Sequence, residues 1–312
     1  MQKSAVFLES GLFLRNEGGF CRIFGCLGIE CQIFVLYLQK FLTTNTTLNM
    51  TIGIDLGISA TKIVVVSERQ VREQVLWEGP FVMDRLLDYI RKFNPSRGKV
   101  QKIVLTGVGS RMLPGSLCGV RTTRVEEFQA NAVAAKTLHL PSSYIVVSMG
   151  TGTSFVKVEG SQWQHLGGSA LGGGTLIRLF QLLLPGGNWA LLRSLTEKGN
   201  LGQTDQCIRD VCPMEMPGLP MEVTTVNLGK VSQATTPENV TIGLVNMVVQ
   251  NIGVMARMAG LGYGIKDFVM IGRLTTLPKV ESMLEPLESL YDVHFHVPAS
   301  AEFMTAMGAA MT

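Results

Sequence analysis

The sequence predicts an α/β fold built from two similar lobes, and three observations carry that expectation. Short apolar strands alternate with amphipathic helical stretches from residue 50 onward. Three strands follow one another before the first helix, whereas a doubly wound dinucleotide fold would open strand–helix–strand. A strand–glycine turn–strand unit then occurs twice, at 55–62 and again at 150–157.

Composition permits a large core. Of 312 residues, 46% are hydrophobic and 16% charged, against about 25% charged in an average soluble chain. Lys and Arg number 27 and Asp and Glu 24, so the net charge is +3 and no basic run clusters. That balance excludes a charge-driven nucleic-acid binder. Six cysteines without a C-x-x-C pair exclude a disulfide framework, a zinc finger and a thioredoxin-like centre.

Residues 1–49 stand apart. They hold three of the six cysteines and six of the 14 phenylalanines, without a sustained period. The apolar run 31–42 is shorter than the roughly 20 residues a spanning helix needs. No basic segment, apolar stretch and small-residue cleavage site follow one another as in a secretory signal. We expect this segment to be an upstream extension, unstructured or read through from a mis-assigned start, with the working chain opening at Met50. An interfacial apolar anchor is the alternative. A cytoplasmic protein without a membrane partner is expected.

From residue 50, strands are predicted at 51–55, 62–67 and 71–77. Apolar residues Met83, Leu86, Leu87 and Ile90 give 82–93 the i, i+3, i+4, i+7 stripe of a helix. A buried strand (102–106), a helix (125–138) and a strand (144–148) follow, then a hairpin, 155–158 with 162–166, turning at Gly160. Helix 172–184 opens on three glycines, and 237–258 is the longest helical pattern. Strand 268–271, helix 278–290, strand 293–297 and helix 301–310 complete the chain. The lobes are expected at 50–140 and 141–312.

Three segments carry chemistry. The turn Asp55-Leu56-Gly57-Ile58-Ser59 joins two apolar strands and leads to Lys62. Gly57 lets the backbone approach an anion, successive N–H groups form a concavity for phosphate oxygens, and Ser59 adds a hydroxyl. Lys62 adds a point charge, and Asp55 is placed to hold Mg²⁺ through water. An ordinary tight hairpin fits the same residues. The second segment, Gly150-Thr151-Gly152-Thr153-Ser154, follows a strand and suits the same task, again with a plain hairpin as the other reading. Two such turns converging from two lobes is the arrangement of the actin, sugar-kinase and acetate-kinase group. The third segment holds five glycines between Gly167 and Gly174 and opens a helix. A helix N-terminus offers N–H donors and a positive dipole end to phosphate. Neither G-x-x-x-x-G-K-[ST] nor G-x-G-x-x-G is present.

With these motifs in this order, the chain from Met50 onward resembles the type II pantothenate kinases. GIDLGISATK and GTGTSFVKV are similar to that family's phosphate loops, and HLGGSALGGGTL to its glycine-rich loop. VEEFQANA resembles the segment with its catalytic acid, VMIGRLTTLP its adenosine-side turn and AMGAAM its closing helix. The resemblance implies an actin-like ATPase fold of two ribonuclease-H-like lobes, each a mixed five-stranded-type sheet with helices, and a nucleotide cleft between them. It also implies a homodimer that uses ATP and Mg²⁺ to phosphorylate pantothenate on the way to coenzyme A. Glu127 falls at the proton acceptor, a role phosphoryl transfer to an alcohol requires. Without the resemblance, a carboxylate opening a helix also serves the dipole. Asp55 to Lys62, Thr151 to Thr153, and Gly173, Gly174, Thr175, Leu176 and Ile177 correspond to ATP contacts. Trp189 and Arg273 fall near the nucleotide, with core packing an equal account of Trp189. His165, Gly167 and Gly168 fall on the acceptor side.

Two departures stand out. Ile58 replaces a second glycine in the first turn, and His165 stands where the family has arginine. Arginine is a permanent fork of donors for a carboxylate such as pantothenate's, whereas histidine is mostly neutral at pH 7, and on its own His165 reads as a strand-end packing residue and not as a catalytic base. The acceptor is therefore pantothenate or another small alcohol. Two further readings stay open: an ATPase related to the acyl-CoA dehydratase activators, disfavoured for want of a cysteine pair, and an ATP-binding regulatory pseudoenzyme. His294 and His296 alternate on one strand face and are read as structural, and Cys207 and Cys212 as buried thiols in a helical stretch.

Overall fold

In the computed structural model of the chain, the described residues are 5–8, 11–16, 19–22, 49–93, 99–212 and 214–312. Residues 49–312 form one compact unit, separate from the first 48. Within the first segment, β1 (Ala5–Leu8), β2 (Gly11–Asn16) and β3 (Gly19–Arg22) pair antiparallel in a sheet of their own. The apolar run 31–42 lies outside the described residues.

The compact unit opens with the meander expected from sequence: β4 (Met50–Leu56), β5 (Ala60–Ser67) and β6 (Gln70–Glu78). After α1 (Met83–Phe93), β7 (Val100–Thr106) returns parallel to β4. The short β8 (Ser116–Leu117) and β9 (Val120–Arg124) complete a six-stranded sheet of order β6-β5-β4-β7-β9-β8. Helix α2 (Glu127–Ala135) then leads, through one 3₁₀ turn, to the second sheet. That sheet repeats the plan. Its antiparallel meander is β10 (Ser143–Met149), β11 (Thr153–Glu159) and β12 (Gln162–Ser169), and β15 (Asp267–Ile271) and β16 (His294–His296) add in parallel. Its order, β12-β11-β10-β15-β16, matches the first sheet strand for strand except for the edge strand β8. This is the two-lobed α/β fold of the actin-like ATPases, as the repeated turn units predict.

Layering explains the runs of apolar residues. All eight residues of β5 are buried because the strand is covered on both faces. Ile63 and Val65 face α1 through Leu86 and Ile90. Val64 and Val66 instead join Ala132 and Ala135 of α2, Ala306 and Ala310 of the last helix, and Val146 and Val269 of the second sheet. Helices α2 and α8 (Met304–Met311) therefore form a middle layer shared by both sheets. On the far side of the second sheet lie α3 (Gly173–Leu183), α4 (Trp189–Lys198), α6 (Pro237–Leu261) and α7 (Val280–Tyr291). Helix α6 is long and apolar enough to cross a membrane by length and composition, yet Ile242, Val245, Val248, Val249 and Ile252 on it are core residues.

Several elements have no counterpart in the sequence reading. Helix α4 was unmarked, and residues between α4 and α6 form an insertion with β13 (Gln206–Cys207), α5 (Ile208–Val211) and β14 (Thr224–Val226). Buried Asp205 ties this insertion to α6, accepting from the Leu228 N–H at 2.8 Å and Asn246 Nδ2 at 2.7 Å. Because α5 has only four residues, Cys207 lies before it and is buried, whereas Cys212 lies beyond it and is partly exposed. His296 Nε2 sits 2.7 Å from Asp267 Oδ1.

The middle layer is packed backbone against backbone. A Cβ on Gly53 of β4 would lie 2.0 Å from the Ala306 carbonyl oxygen, and one on Gly308 of α8 only 1.8 Å from that of Ala130 in α2. Neither neighbour is a flexible side chain, so Gly308→Ala must push two helices apart. We expect a loss of at least about 2 kcal/mol and a melting temperature lower by roughly 5 °C or more, read by calorimetry.

Candidate active site

A cavity of about 790 Å³ opens between the lobes, and most of the sequence-predicted residues line it. On the first-lobe side, Asp55 and Lys62 face each other across the β4–β5 register, with Lys62 Nζ 3.6 Å from Asp55 Oδ2. Both side chains are buried. The turn between them closes through the Gly57 N–H donating to the Ala60 carbonyl at 3.1 Å. Ile58 lines the cavity and is 74% exposed, so its side chain does not fill the turn.

The second turn faces the first. Ser59 Oγ lies 3.5 Å from Thr151 Oγ1, bringing together hydroxyls 92 residues apart in sequence. Gly152 and Thr153 line the cavity beside Thr151, although the Thr153 hydroxyl donates to the Leu171 carbonyl at 2.8 Å.

The glycine loop differs from expectation in one respect. The N–H groups of Gly173 and Gly174, at the start of α3, donate to the carbonyls of Gly150 and Thr151, each at 2.8 Å. Those two donors hold the second turn instead of facing an anion. A Cβ on Gly172 or Gly174 would come within 2.7 Å of Thr151 atoms, so here glycine is needed for close approach between two loops. Helical spacing sorts the rest of the segment: Gly173, Gly174 and Ile177 line the cavity, whereas Leu176 is fully buried in the core. The Thr175 hydroxyl turns back to the Ala170 carbonyl at 2.9 Å. Arg178 and Gln181 continue the lining face, four residues beyond Gly174 and Ile177. Sequence reasoning missed them, although the same spacing points to both.

Trp189 and Arg273 do meet. Arg273 Cζ lies 4.4 Å from the Trp189 ring centroid, a cation–π arrangement. The same guanidinium pairs across the cleft with Glu78 at the end of β6. Glu78 carries no local motif and was invisible in the sequence.

Glu127 opens α2 and lines the cavity beside Asp55 and Lys62. Burial pushes its carboxyl pKa above the ordinary glutamate value; the Asp55 charge raises it further, and Lys62 works in the opposite direction. Of the three acceptor-side residues, only Gly168 lines the cavity. His165 lies flat against Phe128, ring centroids 4.0 Å apart and planes 7° from parallel. It packs against the first turn of α2 and does not line the cavity. Gly167 sits beside the β11–β12 bulge with φ +141°.

Comparison with known proteins fits this geometry. Residues 118–284, more than half of the chain, match the family described as Fumble. The chain belongs to the Fumble family. Among relatives of this Fumble-family chain is a type II pantothenate kinase of Bacillus cereus strain G9842, 27% identical over 188 residues. That match covers 58% of this chain and 66% of the relative, just under two thirds of its length. A type II pantothenate kinase of Staphylococcus epidermidis is 26% identical over 232 residues, 72% of this chain and 84% of the relative. The resemblance read from the motifs is thus borne out. Among solved structures, the activator of 2-hydroxyisocaproyl-CoA dehydratase from Clostridium difficile, with bound ADPNP, superposes with TM-score 0.59 at 15% identity. It covers 84% of this chain and 93% of its own. A glucokinase of the ROK family from Streptomyces griseus, in complex with glucose and AMPPNP, gives TM-score 0.51 at 12% identity, over 84% of this chain and 98% of that one. At these identities the structural likeness speaks to fold alone.

The raised Glu127 pKa has a consequence for stability. A carboxyl titrating higher in the folded state than in the unfolded one stabilises the fold fully only below its unfolded pKa. That contribution is lost as pH rises through the folded pKa. Glu127→Gln should therefore melt higher than the parent above that range, and the difference should vanish in acid. Melting curves across pH check this.

Proposed function

We propose that this Fumble-family chain is an ATP-dependent small-molecule kinase that transfers the terminal phosphoryl group of ATP to a hydroxyl of pantothenate. One observation carries the reading: a half-buried carboxyl with a raised pKa, Glu127, shares a single cavity with two facing glycine–hydroxyl turns. Phosphoryl transfer asks for that combination. It needs groups that hold the phosphates in line and a base beside the attacking hydroxyl.

In this reading the 57–59 and 150–153 turns hold the phosphates from opposite sides, and Lys62 offsets the charge developing on them. Ile177, Trp189, Arg273 and the Arg178–Gln181 face hold the nucleoside end. The acceptor's hydroxyl oxygen attacks the terminal phosphorus, its proton passes to a Glu127 carboxyl oxygen, and ADP leaves. A raised pKa strengthens Glu127 as a base, provided the pH is high enough to leave it ionised.

Mg²⁺ suits the donors present. Asp55 and Glu127 are hard carboxylates close enough that the charge on one raises the pKa of the other. Magnesium is typically held by one or two carboxylates together with substrate phosphates. Asp55 would hold it, directly or through water, and it would neutralise charge on the phosphates. The family resemblance extends the reading to a homodimer in the cytoplasm with no nucleic-acid or membrane partner, and to lobes at 50–140 and 141–312.

A kinase for another small alcohol is the second reading, favoured by His165, which stacks on Phe128 and does not line the cavity. His165→Arg discriminates between the two. KM for pantothenate should fall if the acceptor carries a carboxylate, because arginine is a permanent bidentate donor, and should not fall otherwise. For the chemistry, Glu127→Gln should lower turnover by roughly 10²–10⁴-fold with ATP affinity within a few-fold. Unchanged turnover in that variant would remove the kinase reading. For the nucleotide, a Cβ at Gly173 would lie 3.0 Å from the Gly150 carbonyl oxygen. Gly173→Val should therefore distort the turn pair and weaken ATP binding by calorimetry while the protein stays folded.

A further inference from the structure

The interface between α2 and α8 is built of small residues around one glycine notch. Ala130 and Ala134 of α2 meet Gly308 of α8 so closely that a Cβ on Gly308 would lie 1.8 Å from the Ala130 carbonyl and 3.1 Å from the Ala134 Cβ. Helices of bulky residues lock their relative position by fitting ridges into grooves. Here a single notch does that work: only glycine fits where Gly308 seats on the Ala130 carbonyl. The notch sets how close the helices come and how far one has slid, and leaves their rotation about it to other contacts.

One polar pair interrupts this surface. Thr305 of α8 donates its hydroxyl to Asn131 Oδ1 at 2.8 Å, and both residues are buried, Asn131 completely. Asn131 lies one turn along α2 from Glu127, and Thr305 lines the same cavity as Glu127. The pair is a poor stabiliser. Asn131 Nδ2 is buried without a partner, so the side chain carries an uncompensated desolvation cost. Two apolar residues of the same shape would serve stability at least as well, whereas one directional contact between two surfaces of small residues specifies how they face each other.

We propose that the Thr305–Asn131 hydrogen bond fixes the rotation of α2 against α8 about that notch and so places the Glu127 carboxyl beside the Asp55–Lys62 pair in the cavity. Thr305 and Asn131 are positioning residues for the reaction. A turn of about 15° moves a group at the helix surface, about 5–6 Å from the axis, by roughly 1.5 Å. A misplacement near 1 Å at a reacting group costs on the order of 10²-fold in rate.

The inference rests on Glu127 being the base of the proposed kinase, and the experiment keeps the two apart. The full chain is measured as Thr305→Val, Thr305→Ser and Glu127→Gln, and as the double variant Glu127→Gln with Thr305→Val. Thr305→Ala replaces the valine variant if that does not fold. Two quantities are read: kcat with the acceptor, alongside ATP affinity, and the titration of the Glu127 carboxyl by carbon NMR, assigned through Glu127→Gln. That titration reports on the Asp55 and Lys62 charges facing Glu127 from β4 and β5.

Thr305→Val should lower kcat by about 10- to 100-fold with ATP affinity within about twofold, and should displace the Glu127 titration. Thr305→Ser should restore both. In the Glu127→Gln background, Thr305→Val should add little, because two residues acting through one group are not additive. An equal loss of kcat in both backgrounds would show a general packing defect and overturn the proposal. So would an unmoved kcat and titration in Thr305→Val. Should the parent phosphorylate no acceptor, the kinase reading fails by itself. The titration alone then decides: displaced by Thr305→Val, the positioning role stands; unmoved, it falls.

Discussion

The architecture depends on a contact with no side chain in it. Strand β4, helix α8 and helix α2 are stacked so closely that Gly53 and Gly308 leave no room for a methyl group between backbones. This places two helices between two sheets and lets both sheets bury their inner faces on the same alanine-rich layer. Close packing of this kind is stiff, because interiors packed at crystal-like density cannot absorb even one methylene without strain. The last helix in the chain thereby becomes a spacer. It sets the distance between the strand that carries Asp55 and the helix that begins at Glu127.

The cleft follows the same logic of close approach, with different atoms. The second turn and the glycine loop are joined by backbone hydrogen bonds from Gly173 and Gly174 to Gly150 and Thr151. Hydroxyls of Thr153 and Thr175 fasten the adjoining 170–171 stretch. Three hydroxyl and glycine segments that look in sequence like independent anion binders are thus partly committed to one another. What stays available to a ligand is what the pinned loops present: Thr151, Gly152 and, across the cleft, Ser59. A rigid loop pair loses less entropy on binding than a mobile one.

Much of this was legible because it is local. Each glycine turn announces itself within nine residues, and the two meanders before their first helices repeat a recognisable pattern. The lining face of α3 was half legible; the periodicity that places Gly173 and Ile177 on the cavity also removes Leu176 from it. The unreadable parts are those that sequence separation hides. Glu78 meets Arg273 across 195 residues, and Thr305 meets Asn131 across 174. Neither pair has a spacing rule. Helix α4 escaped notice because its start is marked only by Asn188, which caps Leu191 through its side chain at 2.9 Å. In the sequence His165 reads as a departure that puts a carboxylate acceptor in doubt and, on its own, as a strand-end packing residue. In the structure its ring is occupied with Phe128, one residue after Glu127.

These observations converge on α2. Its first turn is braced from one side by the His165–Phe128 stack, from another by the α8 backbone, and along its axis by the Asn131 side chain. No strong side-chain cap holds its N-terminus, since Glu126 at the cap position makes no side-chain hydrogen bond to the helix. A helix start without a cap is ordinarily free to fray. Here tertiary contacts replace the cap. That is the condition a half-buried carboxyl at the first helical position needs if its pKa is to be set by burial and by the Asp55 and Lys62 charges and not by water. The division of labour between the lobes then follows from topology. The first sheet and α2 hold Asp55, Lys62 and Glu127, the second sheet and its outer helices hold Thr151, Ile177, Trp189 and Arg273, and the shared middle layer fixes the distance between the two sets.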